Sequence, residues 1–528
     1  MLTVSGKSHR IVRSLRKTFA IASRNVIYVN NFPRRLPERR SPLDLTTSIL
    51  LFTLPIFAIL VPLIQGLGNR IHKRLFVAYW SILGLVVAFG GVMLLISEGV
   101  PQPHLIYGVL SVDSFSVYFT AVFVLITLLV SVASLSYMRD SKNLDTYFGL
   151  LLFATFGMML IAFSVDLITL FLAWELMNIP TYVLTGFRKN DSISNEAALK
   201  FFIMSALSSA LIIYGISLTF GITGSTNLYA VASGLGMALP KLDPLALLAM
   251  VLFIAGFGMK VAAVPFHMWI PDAYEGAPIT VGAFLAAGTK NGGFAALLRV
   301  FVIAMIALKL DWAAAFAVIA ILTMTLGNIA ALMQKSFTRM LAYSSIAQAG
   351  YILIGFAAPN PLGLVGALFH ILNHGVMKTA AFIAAAAVYS KLSTTNLDSY
   401  SGLAKRMPIT AFTLTIALFA LAGVPPLSGF MSKLVLFTAA VDGKLWWLAL
   451  AGVLNSAFSM AYYGWVVKRM YFDEPSVTTR LKEPVPLVAV LLVSTALIIV
   501  IGLYPGPILN YLYQVAAYLT PGITGLAG

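Results

Sequence analysis

The sequence predicts an all-α integral membrane protein of about fourteen transmembrane helices, and two observations support this fold class. First, 59% of the 528 residues are hydrophobic and only 10% are charged, whereas soluble domains carry about 45–50% apolar and about 25% charged residues. A soluble fold cannot hide that much apolar surface, because a large part of any folded surface stays exposed. Second, apolar runs of about 20 residues, the length that crosses a bilayer core, recur along the chain.

These apolar runs give the predicted spans in chain order. They cover residues 45–66, 76–97, 113–136, 147–164, 166–186, 198–221, 244–265, 280–305, 312–334, 340–358, 363–389, 409–436, 444–467 and 485–504. A bundle of this kind normally forms one unit, so we expect a single polytopic domain rather than several soluble ones.

The basic residues of the connecting loops predict the orientation. Leaving out the N-terminal tail, one face carries seventeen Lys and Arg residues and the other carries three. The positive-inside rule therefore places the basic loops in the cytoplasm and the protein in the cell membrane. A nucleic-acid partner is not needed to explain the net charge of +16, because loop charges of a membrane protein account for it.

The tail, residues 1–42, does not fit this orientation. Its first 40 positions hold ten basic residues and one acid, Glu38. Three interpretations stay open: a cleaved targeting peptide, a peripheral basic helix, or a translation start placed upstream of the true one. A targeting peptide would move the predicted location to a mitochondrial or thylakoid membrane. We assign the tail no function.

Redox and metal chemistry are not expected in this chain. It has no cysteine and only six histidines, which leaves no thiolate ligands for an iron–sulfur cluster or a zinc site. No Walker loop or dinucleotide-binding glycine motif is present. We therefore predict no cofactor and no metal site within the chain.

Five ionisable residues lie deep inside apolar runs: Glu175, Lys260, Lys290, Lys378 and Lys433. Each charge at the centre of a membrane helix costs at least ~2.5–3.5 kcal/mol. One interpretation is that they form buried salt bridges that fix the helix register. The other, which we favour, is a proton relay, because Leu or Ala would serve a purely structural role better.

Lysine suits such a relay. Burial disfavours its charged form and a nearby carboxylate favours it, so movement of a partner can load or release a proton. Arginine would stay protonated. Glu175 is the candidate partner of Lys260.

Two of these lysines lie beside helix breakers, which indicates broken helices 7 and 12. Lys260 precedes Pro265, and Lys433 follows Pro425 and Pro426. Proline interrupts a helix, and paired interrupted segments at corresponding positions are typical of inverted-repeat transporters. The alternative is that two proline kinks fall at similar intervals by chance.

The spacing favours a duplication. The two lysines are 173 positions apart, and the starts of the fourth and ninth runs differ by a similar interval. Helices 4–8 and 9–13 are therefore predicted to form two five-helix repeats, and an odd helix number makes the second inverted. The predicted organisation is the tail 1–42, helices 1–3 in 43–146, repeats in 147–306 and 311–468, and the last helix with the C-terminus in 469–528.

The eleventh run contains the segment HILNHGVMK, with His370, Asn373, His374 and Lys378. Spacings of four residues place the two histidines and the lysine on one helix face. A metal site is disfavoured, because no carboxylate is at hand and Lys378 would repel a cation. A polar stripe that carries water between the two repeats fits better.

Long segments of the chain resemble the antiporter-like subunits of respiratory complex I over about residues 45–505. The resemblance is carried by FLAWELMNIPTYVLTGFRK, SNEAALKFFIMSALSSALIIYGI, KVAAVPFHMWIPDAYEGAPITVGAFLAAGTKNGGFAALLRVF, NIAALMQKSFTRMLAYSSIAQAGYILIG and AGVPPLSGFMSKLVLF. The stretch YEGAP and the lysine in GTKNGG look most like the N-type subunit, which also occurs in F420H2 dehydrogenases. Trp174 looks more like the sister antiporter subunits, and the basic tail is foreign to the family.

The resemblance implies roles for the candidate residues. Glu175 and Lys260 would form the input pair of a proton relay, Lys290 the link, and Lys433 the exit toward the outer face. The residues of the hydrated central axis match less strictly; they are His370, His374 and Lys378.

The resemblance also implies a function. The chain would be the proton-translocating subunit of an NAD(P)H or F420H2:quinone oxidoreductase, with quinone, flavin and Fe–S clusters in partner subunits. The expected partners are other membrane subunits of the complex, the lipid bilayer, and H⁺ or Na⁺. The alternative is a stand-alone or Mrp-type Na⁺/H⁺ antiporter subunit.

Overall fold

A computed structural model of the chain describes residues 52–60, 71–97, 103–238, 244–474 and 479–519. The tail 1–42, and with it every prediction made for it, lies outside these residues. Residues 52–60, which belong to the first predicted span, are helical.

The described chain is helical almost throughout, with one short antiparallel hairpin formed by β1 (His104–Ile106) and β2 (Leu110–Val112). Besides the helical residues 52–60, the described chain has nineteen α-helices: α1 Ile71–Ser97, α2 Ser114–Tyr137, α3 Leu144–Phe163, α4 Leu167–Thr185, α5 Ser192–Thr223, α6 Leu228–Ala238, α7 Pro244–Val261, α8 Ile270–Gly276, α9 Ile279–Phe284, α10 Lys290–Leu298, α11 Lys309–Leu332, α12 Phe337–Ala357, α13 Pro361–Leu392, α14 Leu403–Arg406, α15 Pro408–Ala422, α16 Ser428–Asp442, α17 Trp446–Phe472, α18 Val485–Leu503 and α19 Gly506–Leu519. Wider π-helical turns at Leu285–Thr289 and Arg299–Ala304 flank α10.

Ten described helices are long and apolar enough to cross a membrane, which confirms the predicted all-α membrane fold. The difference from fourteen has physical reasons. The run 280–305 is divided by the π-helical turns, and the run 409–436 is divided into α15 and α16. The helix α17 has 27 residues but carries more polar side chains, and the run 45–66 is described only in part.

The two predicted repeats share the same order of elements. The helix α4 starts beside a backbone bridge between Asp166 and Asn227, and α12 starts beside a bridge between Ser336 and Asn396. These bridges are 170 and 169 positions apart. Each bridge joins the residue before a helix pair, α4–α5 or α12–α13, to the segment that follows the pair. The second helix of each pair, α5 or α13, has 32 residues. The recurrence agrees with a duplication.

The seventh and twelfth predicted spans, 244–265 and 409–436, are broken where the prolines predict. The helix α7 ends at Val261 and is followed by Ala262, whose φ is +70°. The helix α15 ends at Ala422 and is followed by Gly423, whose φ is +93°. Such left-handed conformations are easy for glycine but cost a residue with a Cβ about 1–3 kcal/mol. Ala262 therefore marks a strained break in α7.

A break inside the membrane leaves backbone carbonyls without helical partners. At the end of α15 the Lys433 amine fills this role: its Nζ donates to the carbonyls of Leu421 and Ala422 at 2.9 and 3.1 Å. A third donation goes to Ser456 Oγ on α17 at 2.9 Å. Lys433 thus ties both halves of the broken helix to α17.

A buried ion pair that the sequence analysis did not identify joins α2 to the second π-helical turn. Arg299 donates to both carboxylate oxygens of Asp113 at 2.9 and 2.7 Å, and both side chains are fully buried. The guanidinium also donates to the Ala162 carbonyl at the end of α3 and covers the Phe115 ring at 4.4 Å. The Asp113 carboxylate caps α2 at the Ser116 N–H. One pair therefore fixes three helix ends.

Breaking this pair is expected to destabilise the fold. Arg299→Leu leaves the buried Asp113 carboxylate without a counter-ion. Asp113→Asn leaves the Arg299 guanidinium without one, while keeping a side chain that can cap α2. Each single change is expected to lower the free energy of unfolding by about 3–5 kcal/mol. The double variant should lose clearly less than the sum. Equilibrium unfolding of the purified chain in mixed micelles checks this, and strictly additive losses would contradict the pairing.

Removing the Lys433 amine should also destabilise the chain. Lys433→Met keeps the length of the side chain but removes the lysine hydrogen bonds to the Leu421 and Ala422 carbonyls, which retain Gln348 and Ser456 as donors. The expected loss is therefore that of ordinary hydrogen bonds, about 0.5–1.5 kcal/mol each. The matched control is Lys405→Met at an exposed position of α14, where surface substitutions stay within about 0.5 kcal/mol. Thermal unfolding of the two purified variants compares them. Equal midpoints would contradict a capping role.

Candidate functional site

The four lysines predicted to lie deep are all buried. Their exposed fractions are 1% for Lys260, 1% for Lys290, 0% for Lys378 and 2% for Lys433. Glu175 is only half-buried. A buried ammonium group needs hydrogen-bond acceptors, so the partners of each amine define the site.

The two residues of the expected input pair take neutral partners. Glu175 Oε1 accepts a hydrogen bond from Ser209 Oγ on α5 at 2.5 Å. Lys260 Nζ donates to Asn178 Oδ1 at 2.6 Å. Glu175 and Asn178 lie about one turn apart on α4, so the Glu175 carboxylate and the Asn178 amide lie on the same face of that helix. No ion pair between Glu175 and Lys260 occurs among the described contacts.

The lysine of GTKNGG points to the second repeat. Lys290 Nζ donates to the carbonyl and the hydroxyl of Ser345 on α12, at 2.7 and 2.9 Å. The same hydroxyl lies 3.5 Å from His374 Nε2 on α13. Ser345 therefore connects the first repeat's lysine to the histidine helix.

Lys378 is held in the same way by the neighbouring positions of α12. Its Nζ donates to the Leu341 carbonyl at 2.8 Å and to Ser344 Oγ at 2.6 Å. Ser344 in turn bonds the hydroxyl of Tyr463 on α17. Lys378, at one end of the stripe that it forms with His370 and His374, is thereby connected through Ser344 to α17.

His370 connects the stripe to the exit lysine. Its Nδ1 lies 2.9 Å from Ser432 Oγ, on the residue that precedes Lys433. Its Nε2 lies 3.0 Å from Gln348 Oε1, and Gln348 Nε2 donates to the Leu421 carbonyl at 2.9 Å. That carbonyl also accepts from Lys433. Polar contacts therefore lead from Lys290 to His374 and from His370 to Lys433, and the two segments meet at the imidazole rings, whose centroids lie 6.5 Å apart.

Helix periodicity produces this arrangement. Ser344, Ser345 and Gln348 occupy one side of α12 at spacings of three and four residues. The four-residue spacing of His370, His374 and Lys378 aligns them on α13, as the sequence predicts, and the two imidazole rings lie 6.5 Å apart. Neither histidine is part of a metal-binding group: the described residues contain no cluster of three or more His, Cys, Asp or Glu that could hold a metal.

Several buried polar atoms in this region have no protein partner. They are both amide atoms of Asn373, His374 Nδ1 and Asn291 Oδ1. Buried polar groups of this kind are usually hydrogen-bonded to internal water. The chemistry of the stripe therefore fits a hydrated axis between the repeats.

The neutral partners of the charged residues were not predicted from the sequence. They are Asn178, Ser209, Ser344, Ser345, Gln348, Ser432 and Ser456. Three of them could have been found, because Ser344, Ser345 and Gln348 fall on one face of an apolar helix. The others are ordinary polar residues until a buried amine or imidazole is placed against them.

A second charged group ties the repeats together near the ends of their helices. Asp272 on α8 accepts from Lys200 on α5 and from Arg339 on α12, both at 2.8 Å. Arg339 also pairs with Glu275 at 3.0 Å. These side chains are partly exposed, so each pair contributes little to stability, but together they define where α8 meets the second repeat.

Known proteins share this architecture. Residues 164–459 match the family model described as "NADH:quinone oxidoreductase/Mrp antiporter, TM". The F(420)H(2) dehydrogenase subunit N of Methanosarcina mazei is 43% identical over 88% of this chain and 96% of its own length. The NADH-quinone oxidoreductase subunit N of Trichlorobacter lovleyi is 42% identical over 76% of this chain and 83% of its own.

A solved structure agrees with these relatives. A chain of respiratory complex I from Thermus thermophilus superimposes with a TM-score of 0.74 at 30% identity, over 87% of this chain and 98% of that one. The resemblance to the antiporter-like subunits of complex I is thereby confirmed. The chain belongs to the transmembrane family of NADH:quinone oxidoreductase and Mrp antiporter subunits.

Proposed function

We propose that this chain is the proton-translocating, non-redox membrane subunit of a complex I-like quinone oxidoreductase. One observation carries the proposal: buried polar contacts lead from Lys290 through Ser345 to His374 and from His370 through Gln348 to Lys433, and the two histidine rings lie 6.5 Å apart on one face of α13. A purely structural bundle has no need for a row of titratable groups in its membrane interior.

Glu175 and Lys260 form the input end of the relay. A change of field at Glu175, driven by redox chemistry in other subunits, favours or disfavours the charged state of Lys260. The proton then passes to Lys290 and along the histidine stripe. At the far end, Lys433 donates three hydrogen bonds at the break of helix 12 and releases its proton toward the outer face.

The energies of such steps are compatible with transport. A proton that crosses a potential of ~150 mV needs about 3.5 kcal/mol, since each charge costs ~2.3 kcal/mol per 100 mV. Making or losing one hydrogen bond to a charged group changes the energy by about 1.5–3 kcal/mol. Rearranging the contacts of one or two buried amines therefore supplies changes of the required size.

The proposed organisation uses the ranges predicted from the sequence. Residues 147–306 and 311–468 act as two inverted repeats, each contributing half of the relay, while 43–146 and 469–528 flank them. The basic loops face the cytoplasm of a cell membrane. Electron carriers, namely flavin, Fe–S clusters and quinone, belong to partner subunits of the same complex.

The second candidate function is that of an Mrp-type Na⁺/H⁺ antiporter subunit. The family description that matches this chain includes Mrp antiporters, which is the observation in its favour. The two functions differ in what drives transport. Proton uptake by vesicles that follows quinone reduction supports the first, and Na⁺-driven proton movement without electron transfer supports the second.

Removing the input charges should abolish transport through this chain. In vesicles containing the whole complex, Glu175→Gln and Lys260→Met are each expected to lower the number of protons moved per electron. Quinone reduction with an uncoupler present should persist, because no redox group is touched. A fluorescent pH indicator and quinone reduction rates measure both quantities. Unchanged proton-to-electron ratios in well-assembled variants would reject the proposed function.

The histidine helix offers a matched comparison. Lys378→Met removes a buried amine of α13, whereas Lys391→Met removes an exposed one near the end of the same helix. The first variant is expected to lower proton transport several-fold, and the second should match the unsubstituted complex. The same vesicle assay compares them. Equal transport in both variants would mean that Lys378 lies off the relay.

A further inference from the structure

The contact between Lys260 and Asn178 has an arrangement that the relay alone does not explain. Asn178 is fully buried, and its Oδ1 accepts from Lys260 Nζ at 2.6 Å. Its own Nδ2 has no hydrogen-bond partner. An orphaned buried donor is costly, so this amide is retained at the expense of stability.

The alternative partner of Lys260 lies close by. Glu175 precedes Asn178 by three positions on α4, which places the two side chains on one face and about 4.5 Å apart along the axis. Glu175 is engaged by Ser209 at 2.5 Å. A carboxylate normally attracts an ammonium group more strongly than an amide does. The amine nevertheless lies at the neutral site.

Few polar contacts hold the amine. Beside its bond to Asn178, the ammonium group lies over the face of the Phe201 ring at 4.9 Å, and an ammonium group can donate three hydrogen bonds. Lys260 lies in the last turn of α7, two residues before the strained Ala262. The Cβ and Cγ atoms of Lys260 pack closely against Gly293 of α10, so the base of the side chain is fixed and any movement of the amine comes from its outer bonds. Among the described contacts the amine therefore makes one hydrogen bond, and its other two N–H groups are available to a second acceptor.

We propose that Asn178 is a positioning residue that holds Lys260 away from Glu175 between transport events. The Lys260 amine then has two alternative partners on one face of α4, the neutral Asn178 and the charged Glu175. The resting contact keeps the input pair open, and a change of field at Glu175 closes it. This inference rests on the proposed function and adds the residue that makes the pair switchable.

Three substitutions at this position separate positioning from packing. Asn178→Leu has a similar volume but offers no acceptor, so Lys260 is left to pair with Glu175. Asn178→Asp is nearly isosteric and attracts the Lys260 amine by its charge, so the amine stays at position 178. Asn178→Gln restores a carboxamide acceptor. The control is Asn195→Leu on the exposed part of α5.

The readout is the share of proton transport that depends on this chain, defined as the difference between the intact complex and its Lys260→Met variant in vesicles. We expect Asn178→Leu and Asn178→Asp each to reduce that share about tenfold, the effect of one hydrogen bond to a charged group. The Asn178→Gln variant should retain most of the proton transport, and the rate of uncoupled quinone reduction should not change. The control should match the intact complex.

The outcomes that overturn the inference differ from those that overturn the proposed function. Full transport in both the Leu and the Asp variants would overturn the inference, as would equal loss in the Leu, Asp and Gln variants, which indicates a packing role. If Lys260→Met itself leaves transport unchanged, there is no share to divide, and the proposed function fails first.

Discussion

The constraint on which this structure depends is the burial of protonatable amines in a medium that cannot solvate them. Each amine must find acceptors inside the protein. Broken helices and hydroxyl side chains supply them: Lys433 uses the carbonyls at the end of α15, and Lys290 uses both oxygens of Ser345. The acceptors are neutral in both cases, so neither amine is locked into a permanent ion pair. The relay and the helix breaks are therefore one feature.

The two repeats use equivalent positions for opposite charges. In the first, Glu175 on α4 is bonded to Ser209 on α5. At positions 169 further along, Ser344 on α12 is bonded to Lys378 on α13. The interval equals that between the bridging residues Asn227 and Asn396. Acid and hydroxyl in one repeat are replaced by hydroxyl and amine in the other. At this pair of equivalent positions the first repeat thus carries an acid and the second an amine.

Much of the fold and the charged part of the site could be predicted from the sequence. Apolar run lengths give the spans, and Pro265 and Pro425 give the breaks, because both signals are local. Lys260 and Lys433 were identified by an equally local rule, the cost of a charge in an apolar run. Asn178 and Ser209 could not be found in this way. Their importance comes from tertiary contacts, and a polar uncharged residue in a membrane helix is cheap enough to need no explanation.

Arg299 shows how a local rule can also be incomplete. It lies in the same apolar run as Lys290, residues 280–305. Its role became visible only with its partner Asp113, 186 positions earlier. The two belong to different predicted spans, and sequence distance gives no hint of their contact. Arginine cannot release its proton, so this buried pair anchors the fold while the lysines remain free to titrate.

The separation between these partners has a consequence for biogenesis. Asp113 leaves the ribosome 186 residues before Arg299, so several later helices enter the bilayer while the carboxylate still waits for its counter-ion. Early intermediates must keep that acid near water or shield it with an insertase, and the three helix ends can close only after Arg299 has been translated. A nascent chain that stops short of residue 299 would therefore hold the Asp113 carboxylate without its counter-ion.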